Sequence, residues 1–215
     1  GLVAATTAAQ NGAKVVVLEK AGAIAAAREA IGALNSKLAP DHQEDVPTLL
    51  NHANQTQAGD ANMLMYKTWA EKSGEMIEWM ADTLGPKGML FPFEWHCPDD
   101  PHAYYPAMCY NPCIGEYNPD GPNYNSYAHL EVMRDVFTED LGGEIRFECP
   151  AQQLVIDESG RVTGVVAEGK EGFIQVNAAK GVIICTGGYG ANNEMLADLA
   201  PGNSAWCALR DSVTE

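Results

Sequence analysis

Two groups of residues combine the types and spacing needed for chemistry. Thr186-Gly187-Gly188-Tyr189-Gly190 follows directly on a β-branched, apolar run, Gly181-Val182-Ile183-Ile184-Cys185. Glycines placed there let backbone amides come close to a ligand that a Cβ would hold away. The second group is Glu19, which closes the apolar run Lys14-Val15-Val16-Val17-Leu18, with Gly1 ahead of it. A carboxylate at the end of a strand, about 20 residues after a glycine, is placed to accept hydrogen bonds from sugar hydroxyls.

These groups need elements to position them. Residues 1–10 carry Leu2, Val3, Ala5, Ala8 and Ala9 at helical spacing and end at Asn11-Gly12, a helix stop. The run to Glu19 reads as a buried parallel strand. A helix opening on glycine and a strand closing on Glu form the second half of a dinucleotide-binding βαβ unit, in which the last glycine allows close helix–strand packing. The leading strand and its glycines would precede Gly1. The G-x-G-x-x-G motif is absent from these residues, so on their own they fit equally any α/β protein whose strand ends in Glu.

Residues 20–57 read as loops around short elements, with a weak helical patch at 23–30. Asp60 is expected to cap a helix reaching Met80, with Leu64, Met65, Trp69, Met76, Ile77 and Met80 as its apolar face. Residues 84–125, rich in Pro, Tyr, Asn and Gly, read as irregular structure. A helix over 126–141 carries a Leu130, Met133, Phe137, Leu141 stripe with His129 as a polar flank, and Gly142-Gly143 stops it. Residues 144–147, 153–157, 162–167 and 173–176 then read as a β meander. The expected fold class is α/β: a Rossmann-like domain whose central parallel sheet holds residues 14–19 and 182–185 as neighbouring interior strands, with the meander on one side.

Among 215 residues, 29 are acidic and 13 basic, a formal charge of −16 that repels phosphate backbones. Nucleic acid and anionic membranes are not expected partners. No stretch approaches the roughly 20 apolar residues that span a bilayer, and residues 1–9 are too mild for a signal peptide; the compartment stays open. Six cysteines without a CxxC pair do not make a disulfide scaffold. His96, Cys97, His102, Cys109 and Cys113 hold potential zinc ligands, but their spacing matches no finger pattern. No metal is assigned, and no Cys/His pair is assigned as nucleophile and base.

The order of a nucleotide unit, a long excursion, a meander and a strand running into Thr-Gly-Gly resembles the fumarate reductase and succinate dehydrogenase flavoprotein family. The resemblance covers nearly the whole chain. It is carried by Gly1-Leu2-Val3-Ala4-Ala5, Val15-Val16-Val17-Leu18-Glu19-Lys20, Ile31-Gly32-Ala33-Leu34-Asn35-Ser36, Asp60 with Ser73 and Trp79, Gly160-Arg161-Val162-Thr163-Gly164-Val165, and Cys185-Thr186-Gly187-Gly188-Tyr189-Gly190-Ala191-Asn192-Asn193-Glu194-Met195. One departure is Ala25-Ala26, where the family commonly has a Gly-Gly pair.

The resemblance implies an FAD-dependent oxidoreductase acting on an activated carbon–carbon double bond, with a flavoprotein 3-ketosteroid dehydrogenase or a non-catalytic nucleotide-binding or electron-transfer module as the alternatives. It implies that Glu19 binds the adenosine ribose, with Gly1 and Lys20 beside it, and that Gly32, Ala33 and Ser36 line the pyrophosphate and flavin. Asp60 belongs to the same set, Ala151 offers backbone to the adenine, and Thr186, Gly187 and Gly188 pack on the cofactor. Covalent members attach FAD to a histidine after the ribose carboxylate. No histidine lies between Lys20 and Pro40, so FAD is expected to be non-covalent. The implied partners are a small-molecule substrate with an activated double bond and an electron donor that the residues do not specify.

Residues 1–190 are expected to form the FAD-binding domain and 191–215 the start of a substrate-capping domain, the chain being cut at both ends. The cationic and imidazole groups that would clamp and protonate a substrate are implied to follow the Thr-Gly-Gly turn. Residues 192–215 contain Arg210 and no histidine, so no catalytic residue is assigned and the chain alone is not expected to turn over substrate.

Overall fold

A computed structural model describes residues 1–24, 30–56, 62–96, 107–115, 128–190 and 192–199. The chain divides into two compact units, Gly1–Ala27 with Asp135–Glu215, and Arg28–Arg134.

In the first unit, helix α1 (Leu2–Gln10) buries Ala5 and Thr6. It ends where expected: Gly12 takes φ 78° and donates to the Ala9 carbonyl at 2.9 Å, while Ala13 donates to that of Ala8 at 3.0 Å. Strand β1 (Val16–Leu18) follows.

The second unit builds a small antiparallel sheet from strand β2 (Ile31–Gly32), which pairs Ile31 with Tyr110 and Gly32 with Cys109. Helix α2 (Val46–Thr56) comes next. Asp45 caps it, its Oδ2 accepting from the Thr48 amide at 2.9 Å and the Thr48 hydroxyl at 2.6 Å. These two bonds hold the Asp45 carboxyl below the usual carboxylate range.

Helix α3 (Met63–Leu84) starts later than the sequence suggests. Its cap is Asn62, whose Oδ1 accepts from the Leu64 amide at 3.2 Å; Asp60 lies outside the described residues. The buried face also differs: Ala70, Ser73, Gly74, Ile77, Met80 and Leu84 are buried, whereas Leu64 and Met65 are 75% and 69% exposed. The physical cause is close backbone approach. A Cβ on Gly74 would sit 2.4 Å from the Leu34 carbonyl oxygen, so this face must be small where the chain crosses it.

The Pro- and Tyr-rich stretch contains strands as well as irregular structure. Strand β3 (Met89–Leu90), strand β4 (Phe93–His96), strand β5 (Ala107–Tyr110) and strand β6 (Cys113–Ile114) form two small sheets, ordered β2-β5-β4 and β3-β6. The unit's core joins Leu34, Leu49 and Ala70, with Val46, Leu50 and Phe93 packed against them.

Helix α4 (Ala128–Asp135) passes into a π-helical stretch, Val136–Asp140. Met133 and Phe137 are buried as expected, His129 and Val136 are buried with them, and Leu130 and Leu141 are only partly buried, so His129 is a core residue and not a flank. Gly143 is required by packing, because a Cβ there would lie 2.2 Å from the Phe137 ring.

Strand β7 (Glu144–Arg146) is not part of the meander. It pairs parallel with β1, Val16 opposite Glu144 and Leu18 opposite Arg146. The meander itself is strand β8 (Ala151–Ile156), strand β9 (Val162–Gly169) and strand β10 (Gly172–Asn177), all antiparallel. Its turns carry Gly160 at φ 84° and Gly172 at φ 118°.

The expected pairing of residues 14–19 with 182–185 does not occur. Among the described residues β1 pairs only with β7, and Gly181, Val182, Ile183, Ile184 and Cys185 form no strand, Ile183 and Ile184 being 69% and 64% exposed. An apolar, β-branched run favours extended backbone, but a strand exists only where a ladder partner is present. Helix α5 (Asn193–Leu199) closes the described chain. No helix among the described residues is long and apolar enough to cross a membrane.

Candidate functional site

In the first unit, the parallel β1–β7 ladder continues beyond the strands to place Glu19. The Glu19 amide donates to the Arg146 carbonyl at 2.9 Å, and the Glu19 carbonyl accepts from the Cys149 amide at 2.9 Å. Glu19 is therefore fixed at the C-terminal end of β1, bonded to Cys149, which lies two residues before Ala151. Its half-buried carboxylate accepts one bond, from the Ala21 amide to Oε1 at 2.9 Å. Among the described residues Oε2 has no hydrogen-bond donor. Ala21 is itself tied back by the Glu148 amide at 2.9 Å, with Glu148 at φ 51°. Lys20 is exposed.

Ala151 opens β8 opposite Ala167 and is exposed, and the ladder is irregular between Ala151 and Gln153. Gly1 lies beside Cys185: a Cβ built on Gly1 would be 3.9 Å from the Cys185 Cβ. That is ordinary contact distance, so the close packing expected to demand glycine at position 1 is not demanded by the described atoms. Thr186, Gly187 and Gly188 are exposed, Gly187 has φ 73°, and a Cβ on Gly187 or Gly188 would meet no heavy atom within 4 Å.

In the second unit, Gly32, Ala33 and Ser36 occupy one loop laid along α3. The Trp69 Nε1–H donates to the Gly32 carbonyl at 3.3 Å, and the Leu34 amide donates to Ser73 Oγ at 3.0 Å. The Ser36 hydroxyl, 1% exposed, donates to Glu78 Oε1 at 3.3 Å and accepts from the Leu38 amide at 3.1 Å. Glu78 Oε1 also accepts from the Lys37 amide at 2.7 Å, and Oε2 pairs with Lys37 Nζ at 3.3 Å.

The Lys37 amide, more than any other group, holds the Glu78 carboxyl below the usual range, with Lys37 Nζ and Ser36 assisting against the opposing effect of burial. Tyr110, also bonded to Ser36, has its phenol pushed up mainly by burial. Asn35 takes φ 54°; its Oδ1 accepts from the Glu44 amide at 2.7 Å and its Nδ2 donates to the Glu44 carbonyl at 3.0 Å. Ala33 is buried and Gly32 is exposed. Glu78, the charged member of this clamp, stands in no sequence motif, and its partners Ser36 and Lys37 lie far back along the chain.

Of the other thiol and imidazole positions, Cys109 and Cys113 are buried, and burial raises the Cys113 thiol, which keeps it protonated. Cys97 and His102 lie outside the described residues, as do Ala25 and Ala26. Among the described residues no three His, Cys, Asp or Glu side chains gather as a metal site.

Comparison with known proteins shows what this geometry belongs to. The chain is 27% identical over 218 residues to the digoxin reductase of Eggerthella lenta, covering 96% of this chain and 37% of that protein. It is 31% identical over 85 residues to a probable fumarate reductase of Shewanella frigidimarina, covering 40% of this chain and 14% of that protein. Its fold matches the crystal structure of 3-ketosteroid-Δ4-(5α)-dehydrogenase from Rhodococcus jostii RHA1 with a TM-score of 0.76 at 21% identity, covering 100% of this chain and 48% of that one. The chain thus spans less than half the length of each of these proteins. The family described as FAD binding domain matches residues 1–214, and the chain belongs to that family.

Proposed function

We propose that this chain is the FAD-holding part of an oxidoreductase that reduces an activated carbon–carbon double bond, as in fumarate reductase, with FAD bound non-covalently. The observation that carries the reading is Glu19: a carboxylate fixed at the C-terminal end of a parallel strand, one oxygen used by the Ala21 amide and the other without a donor among the described residues. Ribose hydroxyls are donors and fit that oxygen. Gly187 and Gly188 are exposed and have open space where a side chain would stand, which suits close approach of a cofactor to their backbone. When bound, FAD supplies the hydride chemistry.

The remaining work falls to the chain's own residues. Glu19 holds the adenosine end, Ala151 offers backbone near it, and the Thr186, Gly187 and Gly188 amides pack on the cofactor. Gly32, Ala33 and Ser36 present a loop whose polar side chains are already satisfied by the protein, so its contribution to the cofactor is backbone and shape. Relatives named for fumarate and digoxin reduction support an enoate or enone as the substrate class.

The test is an FAD titration of the intact protein and its Glu19→Ala variant, followed by denaturation and filtration. The variant should bind FAD about 1–3 kcal/mol more weakly, the worth of charge-assisted hydrogen bonds to hydroxyls. All flavin should pass the filter after denaturation. Equal affinity in the two proteins removes Glu19 from the site, and flavin retained on the denatured chain refutes non-covalent binding. Reductant-driven turnover of a panel of enoates and steroid enones above free flavin tests the reaction class.

A further inference from the structure

Helix α3 grips the loop that begins at Gly32 by its backbone, at a series of points along the helix. Trp69 bonds the Gly32 carbonyl, Ser73 the Leu34 amide, and Glu78 the Lys37 amide. Between them Gly74 has no side chain, and the Leu34 carbonyl fills the place where its Cβ would be. This is a template for backbone conformation. A loop held at successive peptide groups cannot slide along the helix without breaking several bonds together, and Asn35, at φ 54°, adds a kink braced by its two bonds to Glu44.

Glu78 stands apart in this series because it is the one charged member. Its carboxylate gathers the Lys37 amide, the Ser36 hydroxyl and the Lys37 ammonium. A charge-assisted bond to a backbone amide is about twice as strong as a neutral one. Here it falls at the end of the loop segment opposite Gly32, so the loop is pinned at both ends.

Resting on the reading that Gly32, Ala33 and Ser36 line the cofactor, we propose that Glu78 is a positioning residue: it sets the conformation of residues 32–37 against FAD without touching the cofactor. Ser36 then acts as a link in the scaffold, its hydroxyl turned to Glu78 and Tyr110 and not to the ligand.

The experiment compares wild type, Glu78→Gln and Val165→Ala in the intact protein, measuring FAD affinity, the visible spectrum of bound flavin and the melting temperature. Val165 lies in the meander and serves as a control that loses stability without touching the loop. Glu78→Gln should weaken FAD binding about tenfold, equal to roughly 1.4 kcal/mol, and shift the flavin spectrum. Val165→Ala, for a similar fall in melting temperature, should leave both unchanged. If Glu78→Gln does not fold, Ser73→Ala removes the acceptor of the Leu34 amide on the same rail and should give the same pair of changes. Wild-type affinity and spectrum in the loop variant overturn the positioning role while leaving the FAD reading in place. Losses that track melting temperature equally in the loop and meander variants also overturn it. Failure of the wild type itself to bind FAD overturns both.

Discussion

Replacing Gly188 by alanine should stabilise the free protein and weaken its hold on FAD, so that stability and affinity, which commonly fall together, move apart. Gly188 does not have a left-handed φ, and a Cβ built there meets no heavy atom within 4 Å. Nothing in the described chain requires glycine at this position. Alanine in a compatible conformation reduces the freedom of the unfolded chain and adds about 0.4–1 kcal/mol of stability. For a chain of this size that is roughly 1–4 °C in melting temperature. If a cofactor packs on the Gly188 amide, the new methyl occupies its approach path. An affinity loss of at least about tenfold, ~1.4 kcal/mol, is then expected. Gly187→Ala is the contrasting case: its φ of 73° costs a non-glycine residue about 1–2 kcal/mol, so it should lose stability and affinity alike. The assay is thermal unfolding without FAD, paired with FAD titration. Wild-type FAD affinity in Gly188→Ala would refute the approach argument, and a lowered melting temperature would refute the reading of the open space.

Thr6 is fully buried in α1, and its hydroxyl has no hydrogen-bond partner among the described residues. Thr6→Val keeps the shape and should therefore raise unfolding free energy by about 1 kcal/mol, and a lower urea midpoint would show that the hydroxyl has a partner. Gly74→Ala drives a Cβ to 2.4 Å from the Leu34 oxygen and should cost about 1–3 kcal/mol; an unchanged midpoint would show that α3 and the loop separate freely. The depressed carboxyl of Glu78, facing Lys37, Ser36 and Tyr110, gives a signed pH effect. Its contribution is complete above the ordinary carboxylate range and is lost as pH falls through the lower folded value. The stability gap between wild type and Glu78→Gln should accordingly close in acid, and a gap constant from neutral pH to pH ~3 would contradict it.

What the sequence revealed follows from how local each signal is. The stop of α1 at Asn11-Gly12 and the turns around Gly160 and Gly172 rest on φ values that glycine alone adopts freely, and all three glycines take positive φ. Helix α2 had an equally local signal, Asp45 three residues before Thr48, hidden by the prolines and polar residues around it. Strand partners are another matter. The run Val16-Val17-Leu18 shows that it wants a ladder but not which one, and Glu144-Ile145-Arg146, far along the chain, supplies it. Composition misled in the Pro- and Tyr-rich stretch, where Tyr110 is almost wholly buried in a strand. It misled again in α3, where small residues make the tight face that apolar periodicity assigns to Leu64 and Met65.

The positions singled out for a cofactor divide by what the protein has already done with their polar atoms. Ser36 spends its hydroxyl on Glu78 and Leu38, and Ala33 is buried, so neither side chain has a group to give a ligand. Glu19 keeps an oxygen without a donor among the described residues, and Gly187 and Gly188 keep open space above their backbone. On the proposed reading, recognition of the cofactor would rest on one carboxylate and on backbone shape. Substitutions at Glu19, Gly187 and Gly188 should act on affinity directly, whereas those at Ser36 or Glu78 should act only through the geometry of the loop they hold.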